Sequence, residues 1–260
     1  MSESLVLSDR LNDCLIIRLN RPQDGNAINL SMAQALAALI QDCSKDLTLR
    51  AVILTGSGNK FFCAGGDVKA YAKIDTDVDL NEVFDTIRDL LDSLEQLPCP
   101  VIAAINGYAI GGGAELTLAC DFRIIEHGAQ LGFPQSRLGI LPGWNGISRL
   151  VPLIGRAAAA KLLFDGRRIN AEQALNIGLA TAVAPAGECL RVALELADSF
   201  SGTAPLSIAA IKAELNAVTQ NLGDIRAQSR RAFAELWFTA DHKEAEKAFA
   251  EKRLPSFKGL

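Results

Sequence analysis

Two rhythms of apolar and polar residues divide this chain. In the first half, short apolar runs alternate with longer segments whose apolar positions recur every three or four residues, as on one face of a helix. Leu5 to Ser8 and Leu15 to Leu19 read as strands separated by the polar turn Asp9 to Asp13. Ala51 to Thr55, Val101 to Ile105 and Phe122 to Ile125 read as buried strands, the second introduced by Pro100. Ser31 to Cys43, rich in alanine and leucine, is predicted as a helix with Ser31 as its cap. Asn81 to Leu97 is predicted as another, with Val83, Ile87, Leu90, Leu91 and Leu94 on one face.

After about Gly143 the pattern becomes mostly helical, punctuated by Pro152, Gly155, Asn170, Pro185, Pro205 and Gly223. Helices are expected at Ala171 to Leu175 behind an Asn170 cap, and at Gly187 to Ser201, Leu206 to Leu222, Asp224 to Trp237 and His242 to Lys252. Strands first and helices later predict an α/β core, residues 1–200, followed by a C-terminal helical subdomain, residues 201–260.

The 260 residues suffice for one large domain with a small appendage. A net charge of −4 gives no basic face for nucleic acid. No apolar run is long enough to span a bilayer and no signal peptide is visible, so a cytoplasmic protein without membrane attachment is expected. The six cysteines are scattered and form no C-x-x-C pair, which predicts reduced thiols used as small core residues. His127 and His242 lack ligand-like neighbours, so no metal site is expected, and no nucleophile elbow supports a serine triad.

Candidate chemistry concentrates between Asn106 and Pro142. The run Val101 to Ile105 leads into Gly111, Gly112 and Gly113, and Glu115 follows in what reads as a first helical turn. Glycine lets a substrate oxygen approach the backbone, and the first amides of a helix have no internal partners. A carboxylate beside such amides moves protons on or off carbon while the amides hold an oxyanion. Upstream, Phe61 to Asp67 repeats the theme after Ala51 to Thr55: Asp67 is expected to cap a helix starting near Val68, turning the Gly66 amide away from it. The triple glycine lacks the Lys-Ser/Thr of a phosphate loop.

Together with Arg21-Pro22, Asn26-Ala27-Ile28-Asn29 and the terminal Ala250 to Arg253 and Phe257 to Gly259, these two loops resemble the crotonase superfamily, the enoyl-CoA hydratase/isomerase family, over nearly the whole chain. The resemblance implies a crotonase-like spiral of ββα units and homotrimers, often paired into hexamers, with the C-terminal helices at the subunit contacts. It implies an acyl-CoA thioester substrate, no cofactor beyond the coenzyme A of that substrate, and lyase chemistry through an enolate. Gly66 and Gly112 match the two oxyanion-hole amides and Glu115 matches the first catalytic glutamate. Ala64, Gly111, Pro134 and Trp144 are expected around the acyl group, with Asp67 beside them as the cap that positions Gly66. Lys69, Lys252, Lys258 and Arg137 are weaker expectations for coenzyme A phosphates or a substrate carboxylate; a surface role suits each as well.

One departure matters. In Gly132-Phe133-Pro134-Gln135, with Gly139 in register, Gln135 stands where the family's hydratases carry a second glutamate. An amide orients a water but accepts no proton at neutral pH. Three readings follow: a hydratase with one carboxylate, a malonyl-type decarboxylase acting on ethylmalonyl- or methylmalonyl-CoA, or a non-catalytic acyl-CoA-binding subunit.

Overall fold

The computed structural model describes residues 4–72, 74–220 and 223–256. The chain opens with the antiparallel pair β1 (Val6–Leu11) and β2 (Cys14–Leu19), joined by a turn at Asn12 and Asp13 that is shorter than the pattern predicts. Helix α1 (Leu30–Lys45) is capped by Asn29, not Ser31: Asn29 is extended and its side-chain oxygen accepts the Met32 amide at 2.9 Å. Strands β3 (Ala51–Gly56) and β4 (Phe61–Cys63) lead to the short α2 (Val68–Tyr71), capped by Asp67 as expected. Helix α3 (Asp77–Glu95) begins a turn before the predicted start, because Thr76 caps it and Asp77 and Asp79 suit the positive end of its dipole.

The strand–strand–helix unit then recurs. Strands β5 (Val101–Ile105) and β6 (Tyr108–Ile110) precede α4 (Gly112–Leu118); β7 (Phe122–Glu126) and β8 (Gln130–Gly132) precede a 3-10 turn, Pro134–Leu138, and α5 (Gly146–Asp165). Helix α5 is broken at Gly155 (φ 76°, ψ 159°), one of the predicted punctuation points. Next come β9 (Arg168–Asn170), α6 (Ala171–Asn176) with a full capping box between Asn170 and Gln173, β10 (Ala182–Ala184) and α7 (Cys189–Asp198). Helices α8 (Pro205–Gln220), α9 (Gly223–Trp237) and α10 (Ala240–Ala250) follow. The terminal Phe257 to Gly259 motif, and Lys258 with it, lie outside the described residues.

From β3 to β8 the first strand of each unit enters a six-stranded sheet, β1-β2-β3-β5-β7-β10, which also holds both opening strands, and the second enters a four-stranded sheet, β4-β6-β8-β9. Among the described residues only the pairs β1–β2 and β8–β9 are antiparallel. This is the spiral of ββα units. Strand β3 is buried on both faces: Val52 and Leu54 face the main core, while Ala51 and Ile53 face a second cluster under Ala193 and Ala197 of α7. The described part of 201–260 adds no strand, and α9 returns to the main core, where the Phe233 ring lies 4.5 Å from that of Phe84.

A buried arginine closes the helix that carries the site. Arg123 donates to Leu179 O and Cys120 O at 2.7 Å each and to Thr117 O at 3.3 Å, meeting carbonyls at the C-terminal end of α4. Burial lowers its pKa, and the carbonyl dipoles hold its charge. Arg123→Met removes the side-chain donor from the Leu179 and Cys120 carbonyls, while Thr117 O keeps the Cys120 amide. It is expected to cost about 3 kcal/mol in urea unfolding, with a much smaller change in thioester binding.

Candidate active site

The small sheet sets the geometry. Strands β4, β6 and β8 run parallel and adjacent, pairing Cys63 with Ala109 and Ile110 with Gly132. Their carboxyl ends therefore deliver three loops to one edge: Ala64 to Asp67, Gly111 to Glu115, and Phe133 to Gln135. The approach is close. A Cβ on Gly113 would lie 2.0 Å from the Cys63 carbonyl oxygen, so only glycine lets α4 begin against the upstream loop.

The first two loops each turn an amide outward. Gly66 forms a parallel bridge with Ile28: the Ile28 amide donates to Gly65 O at 2.8 Å and the Asp67 amide to Ile28 O at 3.0 Å. In that pattern the bridged residue's own N–H faces the other side of the strand. Gly112 is the first residue of α4, so its amide has no carbonyl one turn back. Both glycines line a cavity of about 480 Å³, as do Ala64, Gly111, Pro134 and Trp144. Asp67 is not in that lining: its carboxylate accepts from Arg21 at 2.9 Å and from the Ala70 amide at 3.2 Å.

Glu115 faces the same cavity and is 1 % exposed. Its Oε2 accepts the amides of Trp144 at 2.8 Å and Gly146 at 2.9 Å, and its Oε1 accepts Nε2 of Gln135 at 2.8 Å. Burial pushes its pKa up to about 7, against the two amides, the charge of Arg149 and the Gln135 bond, which all favour the ionised form. The folded-state value lies above the ordinary 4.5, so ionisation subtracts stability as pH rises from 4.5 towards 7, and the cost persists above that window. A carboxyl poised near neutrality exchanges protons readily at working pH.

Gln135, 6 % exposed, therefore faces the catalytic candidate directly, which the sequence leaves undetermined. Its amide nitrogen points at the carboxylate, and its buried Oε1 has no hydrogen-bond partner among the described residues. Arg137 reaches the rim, where its guanidinium is held by Asp165 O at 2.7 and 2.9 Å. Lys69 and Lys252 are exposed and do not line the cavity.

The rest of the wall is aromatic, and sequence reasoning missed most of it. Tyr71, Phe84, Phe233, Trp237 and Phe249 line the same cavity. His242, which has no ligand-like neighbour in the sequence, is buried here, with Nδ1 2.7 Å from Leu138 O and its ring 4.7 Å from that of Trp237. Among the described residues no cluster of three His, Cys, Asp or Glu side chains has a metal-binding arrangement, and no helix is long and apolar enough to cross a membrane. The cysteines are unpaired, and burial pushes the Cys63 thiol up to about 12.

Comparison with known proteins agrees with the resemblance read from the sequence. The family model described as enoyl-CoA hydratase/isomerase matches residues 10–260. The 2,3-dehydroadipyl-CoA hydratase of Escherichia coli is 36 % identical over 260 residues, covering all of both chains. A crystal structure of enoyl-CoA hydratase from Bacillus anthracis is 37 % identical, with a TM-score of 0.80 over 99 % of this chain and 100 % of that one. The carnitinyl-CoA hydratase structure from Mycobacterium avium superposes with a TM-score of 0.89 at 31 % identity over the full length of both.

Proposed function

The chain belongs to the enoyl-CoA hydratase/isomerase family, and from that premise we propose that it is an acyl-CoA lyase adding water to the double bond of a 2-enoyl thioester. One observation carries this reading: the buried carboxyl of Glu115 and the glycines of two loops, Gly66 and Gly112, line the same apolar cavity.

The thioester oxygen takes hydrogen bonds from the amides of Gly66 and Gly112. Ionised Glu115 accepts a proton from water as the water oxygen bonds to Cβ, and the π electrons move through Cα onto the thioester oxygen as an enolate. Glu115 then returns the proton to Cα, so one water is added and the carboxylate is regenerated. Gln135 holds Glu115 in place through Nε2 and takes no proton itself. The coenzyme A moiety belongs to the substrate, and no separate cofactor enters. A homotrimer or a homohexamer is the assembly we propose; the exposed Leu206, Ile211 and Val218 of α8 offer apolar surface for subunit contact.

A second reading is favoured by Gln135 itself. In a malonyl-type thioester, departure of carbon dioxide leaves its bonding electrons as the same enolate, with no base required. Ethylmalonyl- and methylmalonyl-CoA are the substrates of that reading.

The first experiment follows the loss of conjugated-thioester absorbance with crotonyl-CoA, beside carbon dioxide release from ethylmalonyl-CoA. Hydration is the expected result; carbon dioxide release with crotonyl-CoA untouched replaces the first reading by the second. Gln135→Glu is expected to raise crotonyl-CoA hydration several-fold, because two touching carboxyls share one proton and the second supplies Cα separately. An unchanged rate in that variant removes Gln135 from the reaction path.

A further inference from the structure

We propose that Arg88 is a positioning residue for Glu115, acting through the single peptide unit between Gly143 and Trp144. The inference rests on the reading that Glu115 moves the proton, and it names what sets that carboxylate.

Arg88 sits on the buried stripe of α3, at the spacing shared by Phe84, Ile87, Leu91 and Leu94, where an apolar residue is the ordinary choice. It is 2 % exposed. Burying a guanidinium is costly unless its donors are met. Its Nε donates to Gly143 O at 2.8 Å and its Nη1 to Asp85 at 2.8 Å. The guanidinium carbon lies 5.7 Å from the ring centres of both Phe84 and Phe233, so it is packed between an α3 and an α9 side chain.

Gly143 O and the Trp144 N–H are opposite ends of one planar amide. Arg88 holds the oxygen while Glu115 Oε2 accepts the hydrogen at 2.8 Å. A charged donor on the oxygen polarises the amide and strengthens its N–H as a donor to the carboxylate. The other amide on Oε2 is arranged alike: Gly146 N–H belongs to the peptide whose oxygen, on Asn145, accepts from Ser148 Oγ at 2.8 Å. Arg149 fixes the peptide between them, donating to Trp144 O at 3.0 Å. Every peptide oxygen from Gly143 to Asn145 is thus held by a side chain, and Glu115 reads the result.

Other charged or titratable groups surround the carboxylate. Arg149 comes from α5 with Asp92 and Glu95 as partners, Tyr71 from α2, and Arg137, His242 and Glu246 line the cavity; Arg230 on α9 meets Asp85 at 3.2 Å. None of these touches the Gly143–Trp144 peptide oxygen, which is the contact specific to Arg88.

The test titrates Glu115 without turnover, by the carboxylate infrared band of the protein minus that of Glu115→Gln. It is run in the wild-type, Arg88→Met and Arg88→Lys backgrounds. Arg88→Met removes charge and donor, so the Glu115 midpoint is expected to rise by about one pH unit. Arg88→Lys keeps the charge and loses the planar fork, so an intermediate rise is expected; if Arg88→Met does not fold, Arg88→Lys decides. Where hydration is measurable, the pH limb moves with the titration and kcat falls more than KM changes. A midpoint that stays in place in the folded variants overturns the inference, whatever reaction the protein catalyses. A midpoint that moves with no hydration of crotonyl-CoA upholds the inference and sends the hydratase reading back alone.

Discussion

Glu115→Gln is expected to lower kcat/KM for enoyl-CoA hydration by roughly 10³-fold, the usual worth of a positioned acid–base group, with the fold and thioester binding intact. The substitution is nearly isosteric. The glutamine oxygen can take over the amides of Trp144 and Gly146, while its new NH2 faces Gln135. Gln135 then turns its own amide over, so that its unpartnered Oε1 becomes the acceptor. The Gln135 NH2 then occupies the buried place its Oε1 held, so one polar group stays unmatched as in the wild type, and what disappears is the lone pair that takes the proton. The same logic fixes the pH dependence. The wild-type rate is expected to rise with pH through about 7, as Glu115 ionises, and the residual rate of the variant is expected to show no such limb. Because the buried carboxylate costs stability once ionised, the variant should unfold at no lower temperature than wild type at pH 8. A variant that keeps wild-type turnover on an enoyl or a malonyl-type thioester removes Glu115 from the chemistry, whereas binding of both thioesters by wild type and variant alike with turnover of neither supports a binding-only role.

The parts of this site visible in the sequence are those whose signal is local. Gly112 and Glu115 follow an apolar run directly, and Asp67 carries a capping pattern that fixes Gly66. What stayed hidden is how they meet. Strands β4, β6 and β8 are three residues each, too short for any periodicity to register, yet their parallel pairing lines up the loops. Residue type alone does not separate Asn29 from Ser31 as the cap of α1; the extended backbone at Asn29 decides. Phe84 reaches the cavity from α3, while Phe233, Trp237 and His242 reach it from α9 and α10 far along the chain, and no window of sequence brings the two sides together. Arg88 left one trace, a charge on an otherwise apolar helical stripe. Its partner is a backbone carbonyl, and a carbonyl has no letter in the sequence.

Gly112→Ala tests the oxyanion arrangement from the other side, and its effect should be nearly as large. A Cβ at Gly112 would lie 2.4 Å from two carbons of the Trp144 ring. The ring is not free to retreat: Trp144 is 2 % exposed, its amide is bound to Glu115 and its carbonyl to Arg149. Either α4 starts in a different place or the Trp144 loop moves, and each displaces the Gly112 amide relative to the Glu115 carboxylate. A 10²- to 10³-fold fall in kcat is expected, about what one oxyanion donor supplies, with about 1–3 kcal/mol of destabilisation from overpacking. The double variant Gly112→Ala/Trp144→Ala separates the two effects. Removing the indole relieves the clash, so stability should recover relative to Gly112→Ala alone, whereas kcat should stay low because the amide and the acyl wall are no longer set against each other. If Gly112→Ala turns over at the wild-type rate, the thioester oxygen is not held at this helix start.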